Sequence, residues 1–284
     1  MIRPAGHNRS LQVLAGGEAG KYVEVILNES GTDIVFEEPA ENRSAEVWKM
    51  AATDKNPFET DAASVILTDH KGNRYRLPKG PEMYAPLTGY TRTMREVQSE
   101  RYLANIYGMF YEVPRAEGAG NHVPDFSKMK PVSRHDKMIQ DYCSWRGLLV
   151  FAGVKPHAPE DGHIFTGAGT GLWFGAVDDL WKFGKPTGVG GPWKDTEVAK
   201  DKVSDPYLMT GFERKRVALS HNLNEAVRMT LEVAIAPEEW RVYNVLEVPA
   251  GLPLNYTFPE GFHAYWVRVR ADQNCKATAI FTYE

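Results

Sequence analysis

The side chains best suited to bind a small ligand lie between residues 141 and 212. Four of the seven tryptophans fall in this segment, each within a few residues of an acidic or a basic side chain. Sugars are bound by flat aromatic faces under their C–H groups, with a few converging polar groups holding the hydroxyls. The segment therefore predicts a carbohydrate site. Its predicted substrate-binding residues are Tyr142, Trp145, Arg146, Trp173, Trp181, Lys182, Trp193 and Tyr207.

Acidic side chains in the same segment could serve in glycoside hydrolysis. This reaction normally needs two carboxyl groups across the bond, roughly 5–5.5 Å apart for retention or 6.5–9.5 Å for inversion. Asp178 and Asp179 are adjacent in a strand-like run, so they would point to opposite faces, and a solvated turn at a strand end is slightly favoured for them. The predicted catalytic residues are Asp141, Asp178, Asp179, Asp205 and His135.

A second chemistry is suggested by residues that alternate along residues 141–146. One face of a strand there would carry Tyr142 and Arg146 together. Arginine suits bidentate capture of a carboxylate, such as that of a uronic or sialic acid, although an arginine that braces loop carbonyls is about equally expected. With His135 or Tyr142 as a base and Arg146 on a uronate carboxylate, the group would also suit a polysaccharide lyase. Lone histidines, however, are more often structural.

Composition and charge argue against several other classes of protein. The net charge is −4 and the chain has no basic block, so a nucleic-acid partner is not expected. No apolar run is long enough to span a bilayer, so no membrane partner is expected. The eight histidines lack metal-ligand spacing, and no glycine-rich nucleotide motif occurs, so neither a metal nor a cofactor is predicted. Cys143 and Cys275 are expected to be buried free thiols, and the oligomeric state is not predicted.

Strand-like segments dominate the 284 residues and predict an all-β protein. Residues 63–68 and 74–78 flank a polar glycine turn and predict a hairpin, and the apolar residues 147–153 predict a central strand. Residues 91–103 are the best candidate for a helix, and residues 154–170 and 184–204 are predicted to be long loops. Further strands are predicted at residues 21–27, 229–235, 242–248 and 265–270.

A faint internal repeat favours one fold within this class. Trp48, Asp54 and Asn56 recur with the same spacing as Trp266, Asp272 and Asn274, and an apolar strand follows each set. Such a repeat predicts a β-propeller, complete or partial, with about five or six blades at the usual period. Two β-sandwich-type units are the alternative. The chain is expected to be one domain, with a subdivision into residues 1–215 and a C-terminal meander at 216–284 as a finer hypothesis.

Longer motifs carry a resemblance to a known group of proteins. They are residues 105–114, 141–153, 172–186, 205–210, 264–268 and 275–279. Over roughly residues 60–284 the chain resembles a group of proteins from polysaccharide-degrading bacteria that are likened to sialidase-type β-propellers. The Ser-x-Asp-x-Gly-x-Thr-Trp boxes of sialidases are absent, since the nearest segment, residues 68–75, has a different spacing from Asp to Gly. The resemblance implies a secreted or periplasmic protein and a place in longer chains.

The sequence and the resemblance together predict a carbohydrate-active protein. The preferred hypothesis is a glycoside hydrolase that acts on a polysaccharide or oligosaccharide, an acidic one in its narrower form. The alternatives are a non-catalytic carbohydrate-binding or structural β module, which needs only aromatic platforms and amides, and a polysaccharide lyase.

Overall fold

The chain is mainly strand in a computed structural model that describes residues 1–6, 9–16, 18–31, 33–51, 58–84, 94–97, 101–116, 123–154, 163–167, 170–236 and 239–284. Strands account for 51% of the described residues. Within the described ranges, the single α-helix, α1, spans Ser44–Ala51, and short 3-10 segments span Glu82–Tyr84, Phe126–Lys128 and Val177–Lys182. The all-β prediction is therefore confirmed.

Twenty-three strands are present among the described residues. The first are β1 Ile2–Pro4, β2 Leu11–Ala15, β3 Lys21–Leu27, β4 Ile34–Glu37, β5 Phe58–Thr60, β6 Val65–Thr68, β7 Arg74–Leu77, β8 Met94–Val97, β9 Arg101–Ile106, β10 Met109–Val113 and β11 Lys130–Arg134. The others are β12 Asp141–Trp145, β13 Leu148–Ala152, β14 Ile164–Gly167, β15 Thr170–Gly175, β16 Gly188–Val198, β17 Tyr207–Leu208, β18 Lys215–His221, β19 Val227–Ala234, β20 Trp240–Val248, β21 Leu254–Thr257, β22 Trp266–Ala271 and β23 Cys275–Tyr283.

These elements form two compact units, each assembled from separate segments of the chain. The first unit contains residues 1–56, 81–110 and 135–184, and the second contains residues 57–80, 111–134 and 185–284. The expectation of a single domain, with a finer boundary after residue 215, stays a prediction.

Two four-stranded sheets share the main core of the first unit, in the orders β1-β2-β3-β4 and β12-β13-β15-β14. Alternate residues of a strand point to the same face, so Leu11 and Val13 of β2 face inward together, as do Val23 and Val25 of β3. The core contains Ile2, Leu11, Val13, Val23, Val25, Cys143, Trp145, Val150, Ala152, Leu172 and Phe174. A hairpin of β8 and β9 belongs to the same unit.

The second unit is built on a four-stranded sheet, β16-β23-β18-β21, and a seven-stranded sheet, β20-β19-β22-β17-β7-β6-β5. Tyr207 of the larger sheet stacks on Phe281 of the smaller one, with ring centroids 5.4 Å apart. The regular alternation of buried and less buried residues along β23 explains this contact, because one face of that strand is turned to the core. Strand β17 joins two halves of the larger sheet, since it pairs antiparallel with β22 and parallel with β7.

The sheets are open, and a propeller is not confirmed. The repeat that favoured it is not supported either. Trp48 lies in the helix α1, whereas Trp266 begins the strand β22, so the two tryptophans are not equivalent. Asp54 and Asn56 of the repeat lie outside the described residues.

Local predictions from alternation are largely confirmed. The hairpin of β6 and β7, the strand β13 in the interior of its sheet, and β3, β19, β20 and β22 stand where the pattern placed them. Both cysteines are buried and free.

Three local predictions, one helix and two loops, are wrong in the described part. Residues 94–97 and 101–103 of the predicted helix are strand, and β14 and β16 occupy parts of the predicted loops. Asp178 and Asp179 lie in a 3-10 segment directly after β15, in agreement with the favoured turn at a strand end, and Asp179 caps the start of that segment.

Candidate functional site

The predicted site residues are divided between the two units. Asp141, Tyr142, Trp145, Arg146, Trp173, Asp178, Asp179, Trp181, Lys182 and His135 belong to the first unit, and Trp193, Asp205 and Tyr207 belong to the second. Each unit is therefore considered by itself. The convergence of all these side chains on one cleft stays a prediction.

Asp141 is enclosed in the first unit. Its carboxylate is 1% exposed and accepts hydrogen bonds from the backbone N–H of Ile2, at 2.8 Å, and of Tyr142, at 2.9 Å. These bonds tie the start of β12 to β1. These hydrogen bonds of the carboxylate are structural, and its catalytic role stays a prediction.

Three aromatic residues of the predicted platform are also packed inside the first unit. Tyr142 donates its hydroxyl proton to the carbonyl of Leu103, and Trp145 belongs to the core between the two sheets. Trp173 stacks on Phe151 at a centroid distance of 4.6 Å. All three are almost fully buried, although they lie on two faces of the sheet. Trp145 faces the core shared with β1–β3, whereas Tyr142 and Trp173 lie on the opposite face in a row with Phe151. They offer no accessible stacking face for a sugar.

His135 is buried against Phe110, with ring centroids 4.8 Å apart. Its Nδ1 accepts a hydrogen bond from the backbone N–H of Lys137 at 3.2 Å, which leaves Nε2–H to donate to Asn105 Oδ1 at 2.8 Å. Burial lowers the pKa of His135 to about 4. The imidazole is therefore neutral at pH 7 and already holds both of its hydrogen bonds, which favours a structural role.

The remaining predicted residues of the first unit are at its surface. Arg146 follows β12 in a turn with a φ of 49°, so it does not continue the face that carries Tyr142. Asp179 accepts from the backbone N–H of Ala176 and from Lys182 Nζ, and these bonds lower the pKa of its carboxyl. Trp181 is 68% exposed beside the exposed Asp178. Of the predicted tryptophans, this is the one with a free face.

Trp193 and Asp205 meet in the second unit, where both line a groove of about 270 Å³. The other lining residues are Arg76, Pro192, Thr196, Glu197, Val198, Ala199, Lys202, Val203 and Ser204. Its volume is close to the lower end of the range for small-ligand sites, roughly 300–1,000 Å³. Tyr207 does not line the groove, because it is buried between the sheets. Trp193 is 6% exposed and offers a small apolar patch instead of a full stacking face.

Two irregularities in the pairing of β16 place Trp193 in the wall of this groove. The pairing of β16 with β23 shifts register between Gly190 and Trp193 and again between Trp193 and Thr196. Such bulges bend a strand and redirect its side chains. The glycines before Trp193 permit the bend, since Gly190 has a φ of 156° and Gly191 approaches the carbonyl of Ala279 too closely for a side chain.

Asp205 is held in place by bonds on both sides of its loop. The N–H of Ser204 donates to the carbonyl of Val269 on β22, and the Ser204 Oγ accepts from the N–H of Val269. On the other side, the N–H of Arg76 donates to the carbonyl of Pro206. The Asp205 carboxylate accepts from Arg76 Nε at 2.9 Å and from Arg74 Nε at 3.2 Å. Both bonds reach Oδ2, and Oδ1 has no hydrogen-bond donor among the residues that the structure describes.

A second carboxylate completes this ionic network. Arg76 Nη1 donates to Asp61 Oδ2 at 2.6 Å and to Ser64 Oγ at 2.8 Å. Burial alone would raise the pKa of Asp61, but hydrogen bonds from Arg76 and from the N–H groups of Ser64 and Ala63 outweigh it and lower the pKa. Arg76 is thus fixed between Asp61 and Asp205, and it orients the Asp205 carboxylate on the groove wall.

Sequence reasoning missed Arg76, Glu197 and Lys202 of the groove. Arg76 is far from Asp205 in the chain, and the alternating Arg74 and Arg76 of the predicted hairpin were a weak signal of one charged face. Among the described residues, no group of three or more His, Cys, Asp or Glu side chains could hold a metal ion. No helix of the described part has the length and apolarity needed to cross a membrane.

Comparisons with known proteins do not identify a family. No protein-family model matches the chain, and no curated protein matches it. The solved structures that match include one described as a glycoside hydrolase, with 9% sequence identity and a TM-score of 0.20. The match covers 100% of this chain and 69% of that one. A TM-score of this size carries no argument, so kinship with sialidase-like proteins stays unconfirmed.

Proposed function

We propose that the groove of the second unit binds a carbohydrate. The observation that carries this proposal is the Asp205 carboxylate, which is oriented on the groove wall through Oδ2 while Oδ1 has no donor within the described ranges. A carboxylate bound by two guanidinium groups is suited to accept hydrogen bonds from sugar hydroxyls, and charge-assisted hydrogen bonds are stronger than neutral ones.

The other lining groups fit the same ligand. Lys202 brings an ammonium group, while Trp193 and Val203 supply apolar surface for the C–H groups of a sugar. Such a mixture of apolar surface and a few polar groups is typical of a small-ligand site. The volume suits one sugar residue of a larger glycan.

Hydrolysis is a second candidate because two carboxyl groups, Glu197 and Asp205, line the same groove. A hydrolase also needs one carboxyl group with a raised pKa to act as the general acid. Binding needs only the oriented Asp205 carboxylate and the apolar surface beside it, and the groove has both. We therefore place binding before hydrolysis.

The proposal is tested by titrating the protein with neutral monosaccharides and oligosaccharides in calorimetry or NMR. Asp205→Asn and Glu197→Gln are each expected to weaken binding about tenfold, since each removes a charged hydrogen-bond acceptor. Asp136→Asn, an exposed carboxylate of the first unit, is the matched control and should bind as the wild type does. Glu197 is exposed and lies outside the arginine network, so Glu197→Gln should fold even if Asp205→Asn does not.

The outcomes separate the two candidate functions. If both groove variants bind sugar as strongly as the control does, the groove is not the binding site. Release of reducing ends from a polysaccharide by the wild type, lost in Glu197→Gln and in Asp205→Asn, would place hydrolysis first. Loss of binding in Trp181→Ala alone would move the site to the exposed tryptophan of the first unit.

For the architecture, we propose two β-sandwich-type units and not a propeller. The support is that two open sheets contribute to a common core in each unit. An experimental structure with radial, four-stranded blades would overturn this proposal.

A further inference from the structure

A second surface of the second unit combines paired arginines with exposed apolar side chains. On β20, β19 and β22, Val242 lies opposite Glu232, which lies opposite Arg268. In a parallel row, Val245 lies opposite Thr230, which lies opposite Arg270. Directly paired residues share a face, and Glu232 and Thr230 are two residues apart, so both rows lie on one face of the sheet. We call this surface the arginine face.

One carboxylate fixes both arginines. Glu232 Oε2 accepts from Arg268 Nε at 2.7 Å, and Glu232 Oε1 accepts from Arg270 Nε at 2.9 Å. Burial alone would raise the pKa of Glu232, but these two hydrogen bonds and the two positive charges lower it. The carboxylate therefore stays charged at neutral pH and holds two guanidinium groups side by side, from residues whose Cα atoms are about 6.7 Å apart along the strand.

The arginines retain free hydrogen-bond donors in this arrangement. The guanidinium of Arg268 lies 4.2 Å from the ring centroid of Trp240, which further restricts its orientation. Its Nη groups have no acceptor among the described residues. Arg270 has one long contact, from Nη1 to Asp201 Oδ1 at 3.5 Å, and the Asp201 side chain is 56% exposed. A ligand anion could take the place of this weakly held carboxylate.

The opposite margin of the arginine face is apolar. Val242 is 58% exposed and Val245 is 51% exposed. A bulge at Tyr243 in β20 lets these two residues, three positions apart, lie in the two rows. Neighbouring strands are about 4.7–4.9 Å apart, so the valines lie roughly 10 Å from the arginines across the sheet. This width suits a sugar ring that carries an anionic group.

We propose that the arginine face binds the carboxylate or sulfate groups of an anionic oligosaccharide. Arg268 and Arg270 donate to the anion through their Nη groups, and the two valines contact the C–H groups of the sugar. Guanidinium groups are well matched to both oxyanions. This site is distinct from the groove and takes a different class of sugar.

The test uses three probes, oligogalacturonate for carboxylate, dextran sulfate oligosaccharides for sulfate, and cello-oligosaccharides as the neutral probe. We expect binding of at least one anionic probe that weakens as salt is added. Arg268→Gln should weaken that binding about tenfold, since it removes a charged donor. Asp201→Asn should strengthen it, because it removes a competing carboxylate. Asn is tolerated at this position, where φ is 58°.

The controls separate this site from the groove and from nonspecific charge. Arg216→Gln removes an exposed arginine of the other sheet that is paired with Glu284, and it should leave binding unchanged. Glu197→Gln should weaken neutral sugars in the groove but not the anionic probe. Failure of the wild type to bind either anionic probe, or anionic binding that both Arg268→Gln and Asp201→Asn leave unchanged, overturns the inference. Either of these results would leave the proposal of neutral-sugar binding in the groove unaffected.

Discussion

Tyr207 and Tyr283 lie together in the core of the second unit, with ring centroids 5.8 Å apart. Both are fully buried, and neither hydroxyl has a hydrogen-bond partner in the part of the chain that the structure describes. Arg76 in the same unit has partners at Nε, Nη1 and the backbone N–H. At the scale of single residues, the guanidinium of Arg76 is thus paired, whereas the two buried tyrosine hydroxyls carry an uncompensated desolvation penalty.

Tyr283→Phe is therefore expected to leave the free energy of unfolding unchanged or to raise it by about 1 kcal/mol, because an unpaired buried hydroxyl is removed. The ring and its stacking on Phe212 stay in place. Urea unfolding measures the change. Tyr22→Phe is the control, since the Tyr22 hydroxyl bonds to Glu24 and Gln12, and its removal should cost about 1 kcal/mol. A comparable loss in Tyr283→Phe would show that this hydroxyl has a bound partner, such as an internal water.

The lowered pKa of Asp61 predicts an acid-sensitive network. A carboxyl group whose pKa is lower in the folded than in the unfolded state contributes stability above its unfolded pKa, about 3.9, and loses it as the pH falls toward the folded pKa. The link between Asp61 and Arg76 should therefore weaken below about pH 4. Asp61→Asn should be less stable than the wild type at pH 6, with a smaller difference at pH 3, as measured by urea unfolding. An equal difference at both values would contradict this role, and Asp136→Asn is the control.

The sequence predicted some of these residues but not their partners. Asp205 was among the predicted site residues, and its carboxylate is held by hydrogen bonds from two arginines. The groups that hold it, Arg74 and Arg76, come from a hairpin far earlier in the chain, and local patterns carry no information on such pairs. The tryptophans near charges were interpreted as a platform, but Trp145 and Trp173 are buried on opposite faces of their sheet. Local composition alone does not show that both faces of a strand are covered.

At the scale of elements, β16 shows why one predicted loop is a strand. Residues 188–192 contain three glycines and a proline, which normally disfavour strands. The regular strand β23 supplies the hydrogen-bond partner, and two register shifts accommodate the irregular sequence. The strand could not be predicted locally, because its formation depends on a partner about 80 residues away. The same shifts carry Trp193 into the groove.

Gly191→Ala is expected to disturb both the strand and the groove. A Cβ at this position would lie 1.9 Å from the carbonyl oxygen of Ala279, so the backbone of β16 or β23 must move. We expect a loss of about 1–3 kcal/mol in the free energy of unfolding, as is usual for overpacking, with weaker sugar binding in the groove. Urea unfolding and calorimetry measure the two effects. Gly6→Ala is the control, since no atom lies within 4 Å of its Cβ position. If Gly191→Ala were as stable as the wild type, β16 would accommodate the added Cβ at no cost in free energy.

Strand β20 forms one edge of the larger sheet, and its irregular backbone makes that edge a poor partner for other strands. Exposed edge strands invite pairing with other chains, and bulges or blocked backbone groups reduce that tendency. Here the backbone N–H of Val245 donates to the side chain of Asn244 at 2.8 Å, one residue after the bulge at Tyr243. The exposed valines therefore remain accessible at the surface, whereas the interrupted backbone of β20 disfavours pairing with another strand.

At the scale of the whole molecule, alternation along the sequence predicted the class of fold but not its architecture. Each hairpin is a local feature, and most of the predicted strands are present. In the larger sheet of the second unit, the two-residue strand β17 is joined to the hairpin of β6 and β7 by one parallel pair, Tyr207 with Arg76. A strand of two residues leaves almost no periodic signal. The propeller hypothesis depended on one repeat of three residues, and this was too little to fix the order of the strands.

The proposed boundary after residue 215 leads to a test on a fragment. Residues 216–284 contain β19 to β23 and nearly all of β18, but they lack β16, which pairs with β23 from Gly188 to Val198. They also lack β17, which links β22 to β7. The fragment would leave one edge of β23 and one edge of β22 without partners, and the buried face of Phe281 would lose Tyr207. We expect it to lack cooperative urea unfolding and dispersed amide NMR signals. A well-dispersed spectrum with a sigmoidal transition would instead support an independent C-terminal domain beginning at residue 216.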